Sequence, residues 1–211
     1  MKLFDLDGTL IDSNGVWQEV DHRFLTAHAL TPTEEYMFTV GHSIFPIAAQ
    51  YTMDYYHLPL TPQQIMDEWM SYAQDAYLHH IPLKPGAREF LIRESAKGET
   101  LALVTACVPS LGRAVLERHG LSHLFHRMVF AQELGLEKRD PRFWGRVLEL
   151  LDASPSECTL YDDAPVNCTG AKDSGMAVVG ILDPLYEKEW DRMRLICDQC
   201  AADFTGLVDQ T

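Results

Sequence analysis

With 211 residues, 46% of them hydrophobic, the chain can build one large domain or a core with a smaller insert. A formal charge of -14 argues against nucleic-acid or anionic-membrane partners, which need lysine and arginine stripes, though a small phosphate can still bind where a metal supplies positive charge. No run approaches the roughly 18 apolar residues of a membrane helix, and an N-terminus of one lysine followed by acids is no signal peptide, so a cytoplasmic protein is expected.

The chain opens on "KLF" (2–4), which runs into paired carboxylates, Asp5 and Asp7, and then Gly8-Thr9. Only Met1 to Phe4 precede Asp5, so either the first strand is trimmed or the sequence as given begins a few residues inside it. From Asn14 to about Leu83 the pattern is helical. Val16, Trp17, Val20, Phe24 and Leu25 recur at three- and four-residue steps, as one helix face requires. "TPTE" (31–34) and "TPQQ" (61–64) each read as a threonine N-cap, a proline at the first helical position and a Glu or Gln closing a capping box. After the second box, Ile65, Met66, Trp69, Met70, Ala73 and Tyr77 continue an apolar stripe. The region is predicted to be an all-α unit. Tyr51, Tyr55, Tyr56 and His57 suit helix packing better than a cleft wall, and His79-His80, lacking a partner at metal-binding spacing, reads as surface. The chain rejoins its core near "PLKPGAREF" (82–90), where Pro85-Gly86 can form a hinge.

From Leu101 the grammar changes to short β runs alternating with helices. "LALVTA" (101–106), "RMVFA" (127–131), "CTLYDD" (158–163) and "MAVVGI" (176–181) read as strands, "FWGRVLELL" (143–151) as a helix, and Gly120 as the end of the helix after the first of these strands. Such alternation predicts a parallel, doubly wound α/β sheet that also takes in "KLF", with the all-α unit inserted. The expected division is a core of 1–13 and 84–211 around an insert of 14–83. Of the five cysteines, Cys107, Cys158, Cys168, Cys197 and Cys200, all read as reduced thiols. The lone CxxC at Cys197–Cys200 is expected as a semi-buried pair within a C-terminal helix.

In open α/β sheets ligands bind at the carboxyl ends of the strands. Asp5 and Asp7 follow the first strand, Thr105 closes "LALVT", and Asp162 and Asp163 close "CTLY". Four carboxylates and a hydroxyl thus converge on one edge. Gathered carboxylates repel one another unless a cation is present, and an all-oxygen set suits Mg²⁺ shared with a substrate phosphate. Asp5 can then act as a nucleophile on phosphorus and form an aspartyl-phosphate. Asp7 can protonate the leaving oxygen and later deprotonate water. Gly8 lets the chain turn sharply, with Thr9 tying the turn down.

"FDLDGTLIDS" (4–13) resembles the first signature of the haloacid dehalogenase superfamily, in the DxDGT form of its phosphatase branch. Thr105 in "LVTA" resembles the second signature, Lys138 in "GLEKRDPRF" the third and "LYDDAPVNCTGAKDSGM" (160–176) the fourth. The helical insert is similar to the cap of the β-phosphoglucomutase and phosphoglycolate phosphatase subgroup. The resemblance implies a Rossmann-like core with an inserted helical cap and a Mg²⁺-dependent phosphatase acting on a small phosphorylated metabolite, as a monomer or homodimer. It implies Asp5, Asp7, Thr105 and Lys138 as catalytic residues, with Thr105 and Lys138 holding the phosphoryl group. The metal ligands it implies are Asp5, Asp7 through its backbone carbonyl, and Asp163, with Asp162 in support. Gly41 and His42, in a loop between cap helices, stand where the subgroup places substrate-selecting residues. His42 either contacts the leaving group or is a solvated loop histidine.

Three positions depart from the signatures. Ala106, on the expected substrate-binding edge, replaces an asparagine, Arg139 replaces the proline after the lysine, and Asn167 stands where a further aspartate is frequent. A β-phosphoglucomutase-type mutase is the enzyme alternative. It is weakened because the cap shows no Arg/Lys pattern for a second phosphate. A catalytically weak phosphate-binding or regulatory relative is the alternative outside enzymes.

Overall fold

The computed structural model describes residues 1–208, so 209–211, the end of the expected core segment, lie outside the described residues. Within that span six parallel strands form one sheet in the order β3-β2-β1-β4-β5-β6. They are β1 (Lys2–Phe4), β2 (Leu101–Thr105), β3 (Phe125–Phe130), β4 (Thr159–Asp162), β5 (Ala177–Ile181) and β6 (Gln199–Ala201). β1 pairs with β2 on one side and β4 on the other, which makes the short first strand central. Leu3, Ala102, Val104, Leu160 and Val178 face one apolar cluster, and Phe4, Leu101, Leu103, Tyr161 and Val179 face another. That is the period-two alternation of a sheet covered on both faces.

Four helices follow β1 as a helical segment: α1 (Asn14–Ala27), α2 (Glu34–Gly41), α3 (Phe45–Tyr56) and α4 (Pro62–Asp75). A π-helical turn, Ala76–His80, follows α4. The chain enters and leaves this helical segment side by side. Ile11 and Leu83 form an antiparallel bridge, Asp12 N donates to Pro82 O at 3.0 Å and Lys84 N to Leu10 O at 2.9 Å. The same apolar cluster runs from the sheet face through Val20, Phe24, Ile65, Trp69 and Tyr77, so burial rather than helix propensity alone holds the helices against the sheet. The later helices are α5 (Ala87–Ala96), α6 (Pro109–Arg118), α7 (Ala131–Leu134), α8 (Phe143–Leu151), α9 (Pro165–Asp173), α10 (Trp190–Ile196) and α11 (Thr205–Val208).

Some local readings shift. At "TPQQ" both halves of the capping box form around Thr61 and Gln64. At "TPTE" the cap moves two residues on: Thr33, not Thr31, accepts from Tyr36 N at 3.1 Å. Contacts with α3 hold this segment, where Tyr56 Oη donates to the Thr31 carbonyl at 2.8 Å and Tyr55 Oη lies 2.7 Å from Thr33 Oγ1. The Cys197–Cys200 pair does not sit within one helix. Cys197 caps α10 and Cys200 belongs to β6, an edge strand too short to show a pattern. All five cysteines are free thiols. Pro85-Gly86 is a packed joint, since a Cβ on Gly86 would lie 2.6 Å from Thr205 N, and Phe204 N donates to Pro85 O at 3.0 Å. The tyrosines pack on one another around Tyr36, as the helix-packing reading requires. His80 is exposed and paired with Asp75 at 3.1 Å.

Candidate active site

The sequence order of the strands reverses at β1, and the carboxyl ends of β1, β2 and β4 carry the polar residues of the site. Asp5 N donates to Tyr161 O at 2.9 Å and so extends the β1–β4 pairing one residue beyond the strand. The chain then wraps round the Leu6 carbonyl, which accepts from Leu10 N at 2.9 Å and Ile11 N at 3.0 Å. Gly8 makes this wrap possible. Its φ is +76°, and a Cβ there would lie 2.2 Å from both Asp163 Oδ2 and Asn14 Nδ2.

Lys138, from the segment between α7 and α8, reaches into the edge. Its Nζ donates to Asp5 Oδ1 at 2.6 Å and to Asp162 Oδ2 at 2.9 Å, and all three side chains are buried. Asp162 also accepts from Ala164 N at 2.9 Å and from Asn167 Nδ2 at 3.0 Å, so Asn167 orients a neighbouring acid. Asp163 accepts from Thr9 Oγ1 at 2.9 Å and Asn14 Nδ2 at 3.0 Å. The Thr9 hydroxyl therefore spans to β4's end rather than tying down its own turn. Thr105 is buried at the end of β2, where its Oγ1 accepts from Cys107 N at 3.0 Å.

Asp7 faces the helical segment. Its Oδ1 accepts from Ser13 Oγ at 2.7 Å and from the Tyr77 hydroxyl, which in turn accepts from Trp17 Nε1 at 2.6 Å. The π-helical turn after α4 thus delivers a phenol to the end of the first strand.

One oxygen from each of Asp5, Asp162 and Asp163 can be chosen so that all lie within 4.8 Å of one another. Burial, with the neighbouring acids adding to it, pushes Asp5 up to about 7 against the lowering pull of Lys138. Burial likewise pushes Asp163 well up, reinforced by Asp162 and Asp5. Burial pulls Lys138 down, but Asp162 and Asp5 outweigh it and hold the ammonium above its ordinary range. Three buried carboxylates with one ammonium are short of positive charge. An all-oxygen donor set of that kind, with the Cα of Gly8 against Asp163, fits a small hard divalent cation.

A cavity of about 410 Å³ opens over these groups, within the usual size of a small-ligand site. Asp5, Asp7, Thr105, Ala106, Lys138 and Asp163 line it from the sheet side, and Gly41, His42 and Ser43 from the helical side. The His42 ring is tied to its own helix, with Nδ1 2.7 Å from Phe38 O. Sequence reasoning missed Asn14 and Ser13, which look like ordinary helix-start residues, and Tyr77, whose apolar spacing hid a polar job. It also missed Tyr186 and Glu189, lining residues from the 3₁₀ segment Pro184–Glu189, for which no sequence signal exists. Arg139 projects outward, pairing with Glu137 at 2.7 Å and donating to Ser43 Oγ at 3.2 Å, so it links the lysine segment to the His42 loop.

Residues 2–181 match the family described as haloacid dehalogenase-like hydrolase. Among curated proteins, phosphoserine phosphatase of Thermus thermophilus is 35% identical over 101 residues, 47% of this chain and 41% of that one. Hexitol phosphatase A of Escherichia coli is 26% identical over 186 residues, 86% of this chain and 82% of that one. Among solved structures, CbbY of Rhodobacter sphaeroides in complex with xylulose-(1,5)bisphosphate superimposes with a TM-score of 0.80 at 18% identity, covering 98% of this chain and 95% of that one, a likeness of fold.

Proposed function

The chain belongs to the haloacid dehalogenase-like hydrolases, and from that membership and the site geometry we propose that it is a Mg²⁺-dependent phosphatase of small phosphomonoesters. The observation that carries the reading is Asp5, fixed at the end of the central strand by Lys138 at 2.6 Å and facing a cavity large enough for a metabolite. Curated relatives named as phosphatases support the same reaction class.

In this reading an Asp5 carboxylate oxygen attacks phosphorus while the bond to the alcohol oxygen breaks, giving an aspartyl-phosphate. Asp7 hands a proton to the leaving oxygen and then takes one from the water that releases phosphate. The Ser13 and Tyr77 hydroxyls orient Asp7 for both transfers. Lys138 and the Thr105 hydroxyl hold the phosphoryl oxygens. Asp5, Asp163 and the Asp7 backbone carbonyl would hold Mg²⁺, with Asp162 in support; when bound, it supplies positive charge that offsets repulsion between carboxylate and phosphate. Asn167 and Lys138 keep Asp162 in place. Residues 14–83 act as a cap that excludes water from a core formed by 1–13 and the rest of the chain from 84 onward.

A mutase would need to grip a second phosphate. Apart from Lys138, no lysine or arginine among the described residues lines the cavity, which favours hydrolysis. Phosphate release from an aryl phosphate, with and without Mg²⁺, tests the reading. Asp5→Asn is expected to lower metal-dependent turnover by roughly 10³-fold or more. A variant that keeps most of the rate would sink the nucleophile assignment.

A further inference from the structure

The helical wall of the cavity contains two polar groups that nothing among the described residues satisfies. Asp21 projects from α1 into it, half-buried, and makes no hydrogen bond or ion pair among the described residues. Burial alone pushes its carboxyl up to about 7, and no cation counters it. Trp69, from α4, is 2% exposed and lines the same cavity, and its buried Nε1–H finds no acceptor. Phe24 and Phe45 pack against the Trp69 ring and fix it.

An unpaired buried donor costs about 1–3 kcal/mol, so groups of this kind are ordinarily paired. The Trp69 Nε1–H is closed off from the open space of the cavity and meets a ligand oxygen only when the side chains around it give way, whereas Asp21 lines that space as it stands. The chemistry of the two groups then defines the ligand. A carboxylate accepts from hydroxyl or ammonium donors and repels anions, and an indole N–H needs an oxygen acceptor. Among the described residues Lys138 is the one lysine or arginine lining the cavity, and Asp5 and Asp162 already engage it, which leaves none of them free for a second anionic group.

We propose that Asp21 and Trp69 form the subsite for the leaving alcohol, Asp21 accepting from a hydroxyl or amino group and Trp69 Nε1 donating to an oxygen once the wall around it opens for the ligand. The enzyme thereby selects phosphate esters of polyols or amino alcohols over those carrying a carboxylate or a second phosphate. This rests on the phosphatase reading above. Trp17 and Phe45, which also line the cavity, add aromatic faces that suit sugar-like carbon or an ammonium.

The test measures kcat/KM with Mg²⁺ for a hexitol phosphate, phosphoethanolamine, phosphoglycolate, a sugar bisphosphate and p-nitrophenyl phosphate. The better of the first two is expected to exceed phosphoglycolate and the bisphosphate by about 10-fold or more. Asp21→Asn, nearly isosteric, should cut that preference by about 10-fold, which corresponds to about 1.4 kcal/mol. If the leaving group is an ammonium, phosphoethanolamine suffers more than the hexitol phosphate, since an amide still pairs with hydroxyls. Trp69→Phe, which keeps a ring in place, should raise KM several-fold with kcat little changed. A preference for the anionic substrates, or a ratio unchanged in Asp21→Asn, overturns the inference and leaves the phosphatase standing. Aryl phosphate turnover with no discrimination among the alcohols does the same. Absence of turnover on every substrate overturns both.

Discussion

Asp21→Asn should make the protein more stable at alkaline pH, and the size of the gain follows from where the carboxyl sits. Its pKa rises from the ordinary 3.8 to about 7 through burial. The other titratable groups that feel its charge are Tyr36 of α2 and Tyr56 of α3, both still protonated at neutral pH, while α4 contributes the uncharged Trp69. The folded state keeps the proton that the unfolded state releases, so stability falls as pH rises from about 4 to about 7 and is level above that. Full conversion of the shift gives roughly 4 kcal/mol. Water in the cavity reaches the carboxylate, so about half of that, roughly 2 kcal/mol, is expected. Asparagine does not titrate and escapes the loss. Urea unfolding of both proteins between pH 4.5 and 8.5 isolates the difference, since the remaining acids are common to both. At pH 8 the variant should gain about 2 kcal/mol, or about 4–8 °C in Tm for a chain of this size. Parallel pH curves differing by less than about 0.5 kcal/mol would refute the reasoning. A carboxylate that weakens the fold at working pH fits one kept for a ligand.

Lys138→Met strips the counter-charge from Asp5 and Asp162 and should destabilise the metal-free protein by about 3–5 kcal/mol in denaturant titrations. Added Mg²⁺ should raise the Tm of this variant more than that of the parent; an equal response would count against the carboxylates as the metal site. Gly8→Ala forces a Cβ into the space of Asp163 and Asn14 at a left-handed φ. It is expected to cost at least about 1–2 kcal/mol of stability and to depress phosphatase activity further than that loss explains. Activity retained at the parent level would show that the Asp163 carboxylate can move without consequence.

The parts of the fold legible in the sequence are those where one physical rule acts alone. Four of the five predicted strands begin and end within one residue of the observed ones, because buried parallel strands are continuous apolar runs. The Thr61 box formed as read because proline, cap and glutamine agree within four residues. Thr33 rather than Thr31 became the cap, and its surroundings come from tyrosines of α3 more than twenty residues away, Tyr55 at the Thr33 hydroxyl and Tyr56 at the Thr31 carbonyl. β6 was hidden because a three-residue edge strand has no period to detect, and it forms only where β5 offers an edge.

The sequence by itself determined which side chains stand at the strand ends, since Asp5, Thr105 and Asp162-Asp163 are placed there by local pattern and Lys138 by its motif. Only the tertiary structure decided what those groups do to one another. Lys138 meets Asp5 across 133 positions and Asn14 meets Asp163 across 149, and no local pattern encodes such distances. The same holds for the substrate side. Trp69 belongs to an apolar helix stripe and Asp21 carries no sequence signal of its own, and they become an unpaired donor and acceptor only because packing brings α1 and α4 together over one cavity. Whether a polar group is satisfied depends on neighbours that are remote in the chain, and those are fixed only when the whole core closes.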